Sequence, residues 1–261
     1  GFAAEQERLG AQFFDTAGWE RPRWYEANAA RLDGVVLRAR DAWSSRFWSP
    51  VCGAEHLAVR DTAGVFDMTS LRRIEVTGPG ASAFLSQVCA KSVDRAVGSV
   101  TYTLLLDEHG GITSDVTVSR IAEDRYLVGG NSQRDTFRLQ RLAVGHHVRI
   151  ADVTDATSCL AVWGPAARQL LAPIADCDLA DAAFPYLTAK LTEVAGVPVT
   201  VVRVSYVGEL GWELTCSAPQ AQRLWRVVMQ HAGDVGAIAA GRGALSSLRI
   251  EKGYRAWGAD M

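Results

Sequence analysis

Three stretches of this 261-residue sequence carry residue types and spacings suited to chemistry. The first is Leu106-Asp107-Glu108-His109-Gly110-Gly111-Ile112-Thr113-Ser114-Asp115-Val116-Thr117-Val118, a glycine-rich turn whose outgoing strand carries Asp115 among β-formers. A carboxylate near the start of a strand ordinarily faces solvent. Turned into a cleft, it would be tuned by burial for proton transfer or for steering a cationic intermediate. The second stretch is Arg203-Val204-Ser205-Tyr206-Val207-Gly208-Glu209-Leu210-Gly211-Trp212-Glu213-Leu214, in which Tyr206 and Glu213 flank a Gly208–Gly211 turn, so that a hairpin would bring them close. A carboxylate accepts two parallel N–H bonds from an amide-like ring edge. Between Trp212 and Leu214 a bare charge is costly unless paired, and the alternative is an exposed Glu at a hairpin edge. In the third stretch, Gly241 to Tyr254, Leu245 and Leu248 make an apolar helical face with Arg242, Arg249 and Lys252 on the other side. Arg242 at the helix start serves either an acidic ligand tail or ordinary solvation.

Other chemistries lack their residues. Lys and Arg total 27 against 29 Asp and Glu, a net charge of −2, which gives no basic face for nucleic acid. No apolar run approaches the roughly 18 residues that span a bilayer. The five cysteines form no Cys-x-x-Cys pair and the five histidines no ligand spacing, so no metal site is expected. An odd number of cysteines suggests reduced thiols in a cytosol-like compartment, and a cytoplasmic location is expected. Gly78-Pro79-Gly80-Ala81 has two glycines at fingerprint spacing, but Ala83 and the absence of an acidic partner break the pattern. Neither flavin nor nicotinamide is therefore expected on this chain; purified protein should be colourless, and a flavin absorption spectrum would contradict this. The first residue, Gly1, and the charged, aromatic run before Met261 read as the ends of a piece of a longer polypeptide.

The elements that must position these residues alternate between α and β signals. Length bounds the chain to one or two domains. Glu5 to Thr16 reads as a short helix, and Trp19 to Tyr25 as a Pro-interrupted aromatic strap, so 1–34 is assigned as a connecting segment and 35–261 as the main domain. Helices are expected over Glu55–Thr62 and Ala81–Val88, and strands near Val65-Phe66 and over Arg73–Thr77. An internal repeat organises the rest. Ile74-Glu75-Val76-Thr77-Gly78-Pro79 matches Leu160-Ala161-Val162-Trp163-Gly164-Pro165, with the Gly-Pro steps 86 residues apart, and the same offset carries Gly110 onto Gly196. Each copy orders strand, Gly-Pro, helix, hairpin, strand, helix, over about 72–145 and 158–231. The prolines are placed at the first helical position, where a missing N–H costs nothing. The fold class is α+β: two related lobes with a cleft between them.

Together the three stretches resemble the folate-binding aminomethyltransferase family, the glycine cleavage T-protein and its relatives. They most resemble the C-terminal half of the dimethylglycine oxidase, dimethylglycine dehydrogenase and sarcosine dehydrogenase group. The likeness rests on Gly110-Gly111-Ile112-Thr113-Ser114-Asp115, Ser205 to Leu214, and Ser247 to Gly258, and Gly18-Trp19-Glu20-Arg21-Pro22 is similar to the strap that follows the flavin domain in that group. The resemblance implies that Asp115 acts at the reacting carbon, that Glu213 holds the pterin ring, that Tyr206 contacts the folate, and that Tyr102 and Asn131 line the pocket. It implies transfer of a one-carbon unit from an oxidised N-methylamine to tetrahydrofolate, giving 5,10-methylenetetrahydrofolate. FAD would sit in a separate flavin-binding domain or subunit, and a eukaryotic version would lie in the mitochondrial matrix. The family's C-terminal β-barrel would lie beyond Met261. Two alternatives remain: a folate-dependent O- or S-demethylase, and a non-catalytic folate-binding protein. The second carries a Lys-Gly-Cys-Tyr signature, whereas Lys252-Gly253 here is followed directly by Tyr254.

Overall fold

The computed structural model describes residues 1–16, 18–33 and 41–261; the boundary expected between residues 34 and 35 lies outside them. The helix expected over Glu5–Thr16 stops early. Helix α1 covers Ala3–Arg8, Gly10 takes φ +68°, and the chain leaves as strand β1, Ala11–Thr16. Only glycine enters that left-handed region without strain, and the Phe13-Phe14 pair beyond it favours a strand. The aromatic strap is the partner of β1: β2, Trp19–Tyr25, runs antiparallel to it, with a register shift between Gln12 and Phe13 next to the Phe13–Pro22 pair. The shift accommodates a proline that has no N–H for the ladder.

After α2 (Ser44–Phe47) comes α3, Pro50–Asp61, longer than expected at its N-terminus. The Ser49 side chain accepts from the Val51 N–H and Pro50 starts the helix, the standard entry signals. Strand β3, Gly64–Asp67, then crosses to the first repeat: β4 (Arg72–Thr77), α4 (Ala81–Val88), β5 (Val100–Leu106), β6 (Ile112–Ala122), β7 (Arg125–Gly130), α5 (Gln133–Leu142) and β8 (Arg149–Asp152). The second repeat follows in the same order: β9 (Thr157–Trp163), α6 (Ala167–Leu171), β10 (Ala189–Val194), β11 (Val197–Val202), β12 (Gly211–Ser217), α7 (Ala221–Asp234) and β13 (Ile238–Ala239). Helix α8, Arg242–Glu251, closes the list.

The two Gly-Pro steps form the same turn. Ala81 N–H donates to Gly78 O and Ala167 N–H to Gly164 O, both at 3.0 Å. The prolines therefore occupy the second position of a β-turn rather than the first helical position, where their fixed φ is equally useful. The glycines are obligatory. Gly78 and Gly164 have φ of +121° and +143°, and a Cβ would meet His147 O at 2.5 Å in the first and the Ala63 Cα at 2.4 Å in the second.

Each repeat builds one sheet. The first is five-stranded, in the order β5-β6-β7-β4-β8; the second is six-stranded, β10-β11-β12-β9-β3-β13. Separate cores sit behind them, around Ile74, Phe84 and Tyr126 in the first lobe and around Phe184, Trp212 and Trp225 in the second. Beside β5 and β10 the lobes are stitched together by Val100 N–H to Leu187 O at 2.9 Å and Ala189 N–H to Gly98 O at 2.7 Å. One carboxylate ties the N-terminal segment to two distant parts of the chain. Glu55, wholly buried on α3, accepts from Tyr25 N–H at 2.7 Å and Asn28 Nδ2 at 2.8 Å through Oε1, and from Gly241 N–H at 2.9 Å through Oε2. Burial pushes this carboxyl up to about 7, against the three donors that favour its charge.

Candidate functional site

Asp115 is half-buried. Strand β6 places it opposite Leu104 of β5, and its side chain points into a cleft of about 1370 Å³ lined by both lobes. Both carboxylate oxygens are held. Tyr102 Oη donates to Oδ2 at 2.8 Å, reaching diagonally across the β5–β6 pair, and Asn131 Nδ2 donates to Oδ1 at 2.6 Å. Asn131 is itself fixed, because its N–H and that of Ser132 both donate to Asp135 Oδ2, at 2.8 and 3.0 Å, in the capping box of α5. Burial, then the bond to Asp115, pushes the Tyr102 phenol up, so it stays a donor at neutral pH. Removing that bond in Tyr102→Phe should slow any step that needs an oriented Asp115 by roughly fivefold, the worth of about 1 kcal/mol at a part-exposed charged acceptor. Single-turnover kinetics reads this, and an unchanged rate would show that Asn131 alone orients the carboxylate.

The second carboxylate comes from the other lobe. Glu213 lies in the interior of its sheet, not at an edge: β12 is flanked by β11 and β9, with Glu213 opposite Val202 and Ala161. Alternation along β12 sends Trp212 into the core, where it is fully buried, and turns Glu213 towards the cleft. Its carboxylate has no hydrogen bond or ion pair among the described residues. Burial raises it to about 7, opposed by the positive charge of Arg73. A half-buried acceptor without a protein donor is free to take the donors that a ligand brings.

Tyr206 lies in the 203–210 connection, not on a strand, so the tight hairpin expected around Gly208–Gly211 is a longer loop. The cleft still receives both Tyr206 and Glu213. Tyr206 Oη donates to Arg255 O at 2.7 Å, and its ring stacks on Tyr254, with centroids 6.0 Å apart and planes 16° from parallel. Arg242, the first residue of α8, also lines the cleft and is not a solvated surface residue. Burial, with Arg21 and Arg249 nearby, lowers it to about 10, and it has no carboxylate partner among the described residues. Arg249, expected on the solvent side of α8, is instead buried; it bonds Tyr254 O at 3.0 Å and Asp260, holding the segment that carries Tyr254. The cleft thus gathers Asp115, Tyr102, Asn131, Tyr206, Glu213 and Arg242. Arg73 joins them from a position that reads in sequence as an ordinary strand start. Among the described residues, no group of three or more His, Cys, Asp or Glu is placed to hold a metal ion. No described helix is long and apolar enough to cross a membrane.

Two lobes built on one repeat, with a shared cleft holding one oriented and one unpartnered carboxylate, define an aminomethyltransferase-type protein. The profile of the GCVT N-terminal domain matches residues 2–261, and the chain belongs to this glycine cleavage T-protein family. It is 31% identical over 250 residues to mitochondrial dimethylglycine dehydrogenase of Rattus norvegicus, covering 94% of this chain and 28% of that protein. It is 34% identical over 261 residues to 4-methylaminobutanoate oxidase (formaldehyde-forming) of Paenarthrobacter nicotinovorans, covering 99% and 31%. The crystal structure of glycine cleavage system aminomethyltransferase T from Bartonella henselae superposes with a TM-score of 0.79 at 27% identity, over 98% of this chain and 62% of that one. The chain thus spans under a third of the first two relatives and about three fifths of the third.

Proposed function

We propose that the cleft binds tetrahydrofolate and that the chain transfers to it a one-carbon unit from an oxidised N-methylamine of the dimethylglycine or sarcosine kind, giving 5,10-methylenetetrahydrofolate. The observation that carries this is Glu213: a half-buried carboxylate without a partner among the described residues, lining a cleft wide enough for an extended ligand. Glu213 takes the paired N–H donors of the pterin edge, with Tyr206 beside the ring and Arg242 available to a carboxylate of the ligand tail. From the opposite lobe Asp115, Tyr102 and Asn131 meet the reacting carbon.

The carbon arrives electrophilic, as an iminium, R₂N⁺=CH₂. Joining it to the two folate nitrogens breaks the carbon–amine bond and frees two N–H protons. One leaves on the amine and the other passes to a base, the role assigned to Asp115. The protein therefore contributes proximity, proton handling and exclusion of water, which would otherwise release formaldehyde. The iminium would come from a flavin-binding domain or subunit; relatives named as dehydrogenases and oxidases support this pairing.

The relative named as formaldehyde-forming favours a second reading, in which the amine is oxidised without folate capture. Titration calorimetry with tetrahydrofolate separates the two. Saturable one-to-one binding, abolished or much weakened in Glu213→Ala, supports folate capture, and no binding by protein that includes the remainder of its polypeptide supports formaldehyde release.

A further inference from the structure

Among the described residues the chain passes between the two sheets twice, and one side chain holds both crossings. The first crossing, residues 68–71, leaves β3 for β4; the second, residues 153–156, leaves β8 for β9. Arg73, 5% exposed at the start of β4, spends its guanidinium on both. Nη2 donates to Thr69 O at 2.7 Å and Nη1 to Leu71 O at 3.0 Å, on the first crossing. Nε donates to Thr157 Oγ1 at 2.7 Å and Nη2 also approaches Thr154 O at 3.3 Å, at the second. Its backbone adds Val153 N–H to Arg73 O at 2.9 Å and Arg73 N–H to Thr154 Oγ1 at 3.0 Å. Every acceptor is neutral, and the guanidinium has no ion pair among the described residues. Its charge is therefore fixed in place without a counter-ion, at the wall of the cleft.

We infer that Arg73 is the positioning residue of the cleft: it locks both crossings, so setting the span between Asp115 on one lobe and Glu213 on the other, and it supplies the fixed positive charge that Glu213 meets. Carbonyl dipoles stabilise the guanidinium but do not cancel its field, which a low-dielectric wall screens weakly. Glu213 is the carboxylate positioned to meet that field. Arg73 on β4 and Cys159 on β9 line the cleft with it and share its electrostatic surroundings; β11 presents Val202, which is not titratable, and Tyr206 and Arg242 line the same cleft. The inference rests on the proposed role of Glu213 in gripping the ligand, and the two can fail separately.

The test is titration of the Glu213 carboxyl carbon by ¹³C NMR in the 261-residue protein, with the resonance assigned by its loss in Glu213→Gln. In Arg73→Met the midpoint should move up by about one pH unit or more, because the opposing charge is gone. In Arg73→Lys the charge stays but the fork is lost. The midpoint should then hold to within about half a unit, while affinity for 5-formyltetrahydrofolate falls about tenfold as the lobes lose their common pin. Should Arg73→Met not fold, Arg73→Gln keeps two N–H donors for the crossings and reads the same shift. A midpoint unmoved in the uncharged variant, or unchanged affinity in Arg73→Lys, overturns the inference and leaves Arg73 a structural staple. Glu213→Gln binding the folate as tightly as wild type would instead sink the ligand role of Glu213, with the NMR shift still deciding what Arg73 does.

Discussion

Asp115→Asn should slow one-carbon transfer by about 10²-fold or more, the usual worth of an acid–base group, while folate affinity changes little. Asn nearly matches Asp in shape but holds no charge and takes no proton at neutral pH. The surroundings sharpen the expectation. Tyr102 and Asn131 both donate to Asp115, one to each oxygen. An amide there can keep its carbonyl oxygen towards Asn131 and turn the Tyr102 bond round, so that the hydroxyl accepts instead of donating and the pair no longer holds a charge. In an enzyme assembled with its flavin partner, amine oxidation should continue while formaldehyde replaces 5,10-methylenetetrahydrofolate. The ratio of those products at saturating tetrahydrofolate is the measurement, and a wild-type ratio in the mutant would remove Asp115 from the chemistry.

Glu213→Ala should weaken folate binding by about 1.5–3 kcal/mol, the scale of charge-assisted hydrogen bonds, readable by calorimetry. The pH dependence has a definite sign. With the carboxyl raised to about 7 in the folded protein, folate affinity should climb as pH rises through 7 and Glu213 ionises. The alanine variant should lose that climb. Stability runs the other way. A carboxyl that is easier to protonate folded than unfolded contributes most when both states bind the proton, and that contribution is lost as pH rises from about 4.5 to about 7. Urea unfolding of Glu213→Ala should show a flatter decline across that window. Equal affinity at every pH, with folding intact, would mean that the pterin is gripped elsewhere.

Local signals were legible in the sequence. The helix Ala81–Val88 falls where its pattern puts it, and the 86-residue offset describes two sheets with the same element order, because Gly-Pro turns and strand alternation are written in neighbouring residues. The reading of Glu5–Thr16 as one helix failed because Gly10 breaks the chain direction and the aromatic pair beyond it gains more from a hairpin. Asp115 and Glu213 stood out as residue types, but only the finished fold turns both towards one cleft. Arg249 looked solvated since its partner Asp260 follows in a loop without pattern. Arg73 and Glu55 were invisible for the same reason at longer range: their partners come from segments brought together only by the finished fold.

The single carboxylate of Glu55 also sets an order of events during synthesis. Its acceptors join Tyr25, 30 residues earlier, to Gly241, 186 residues later, and the Asn28 that it orients reaches Ala239 across 211 residues. Contacts of such separation form late, because loop closure must be paid before they reward it. Until position 241 has left the ribosome, Glu55 remains in water and the β1–β2 hairpin has no completed seat. The first repeat, whose sheet closes within residues 72–152, can fold while the rest is still being made. The N-terminal segment is therefore translated before both repeats and docked after them.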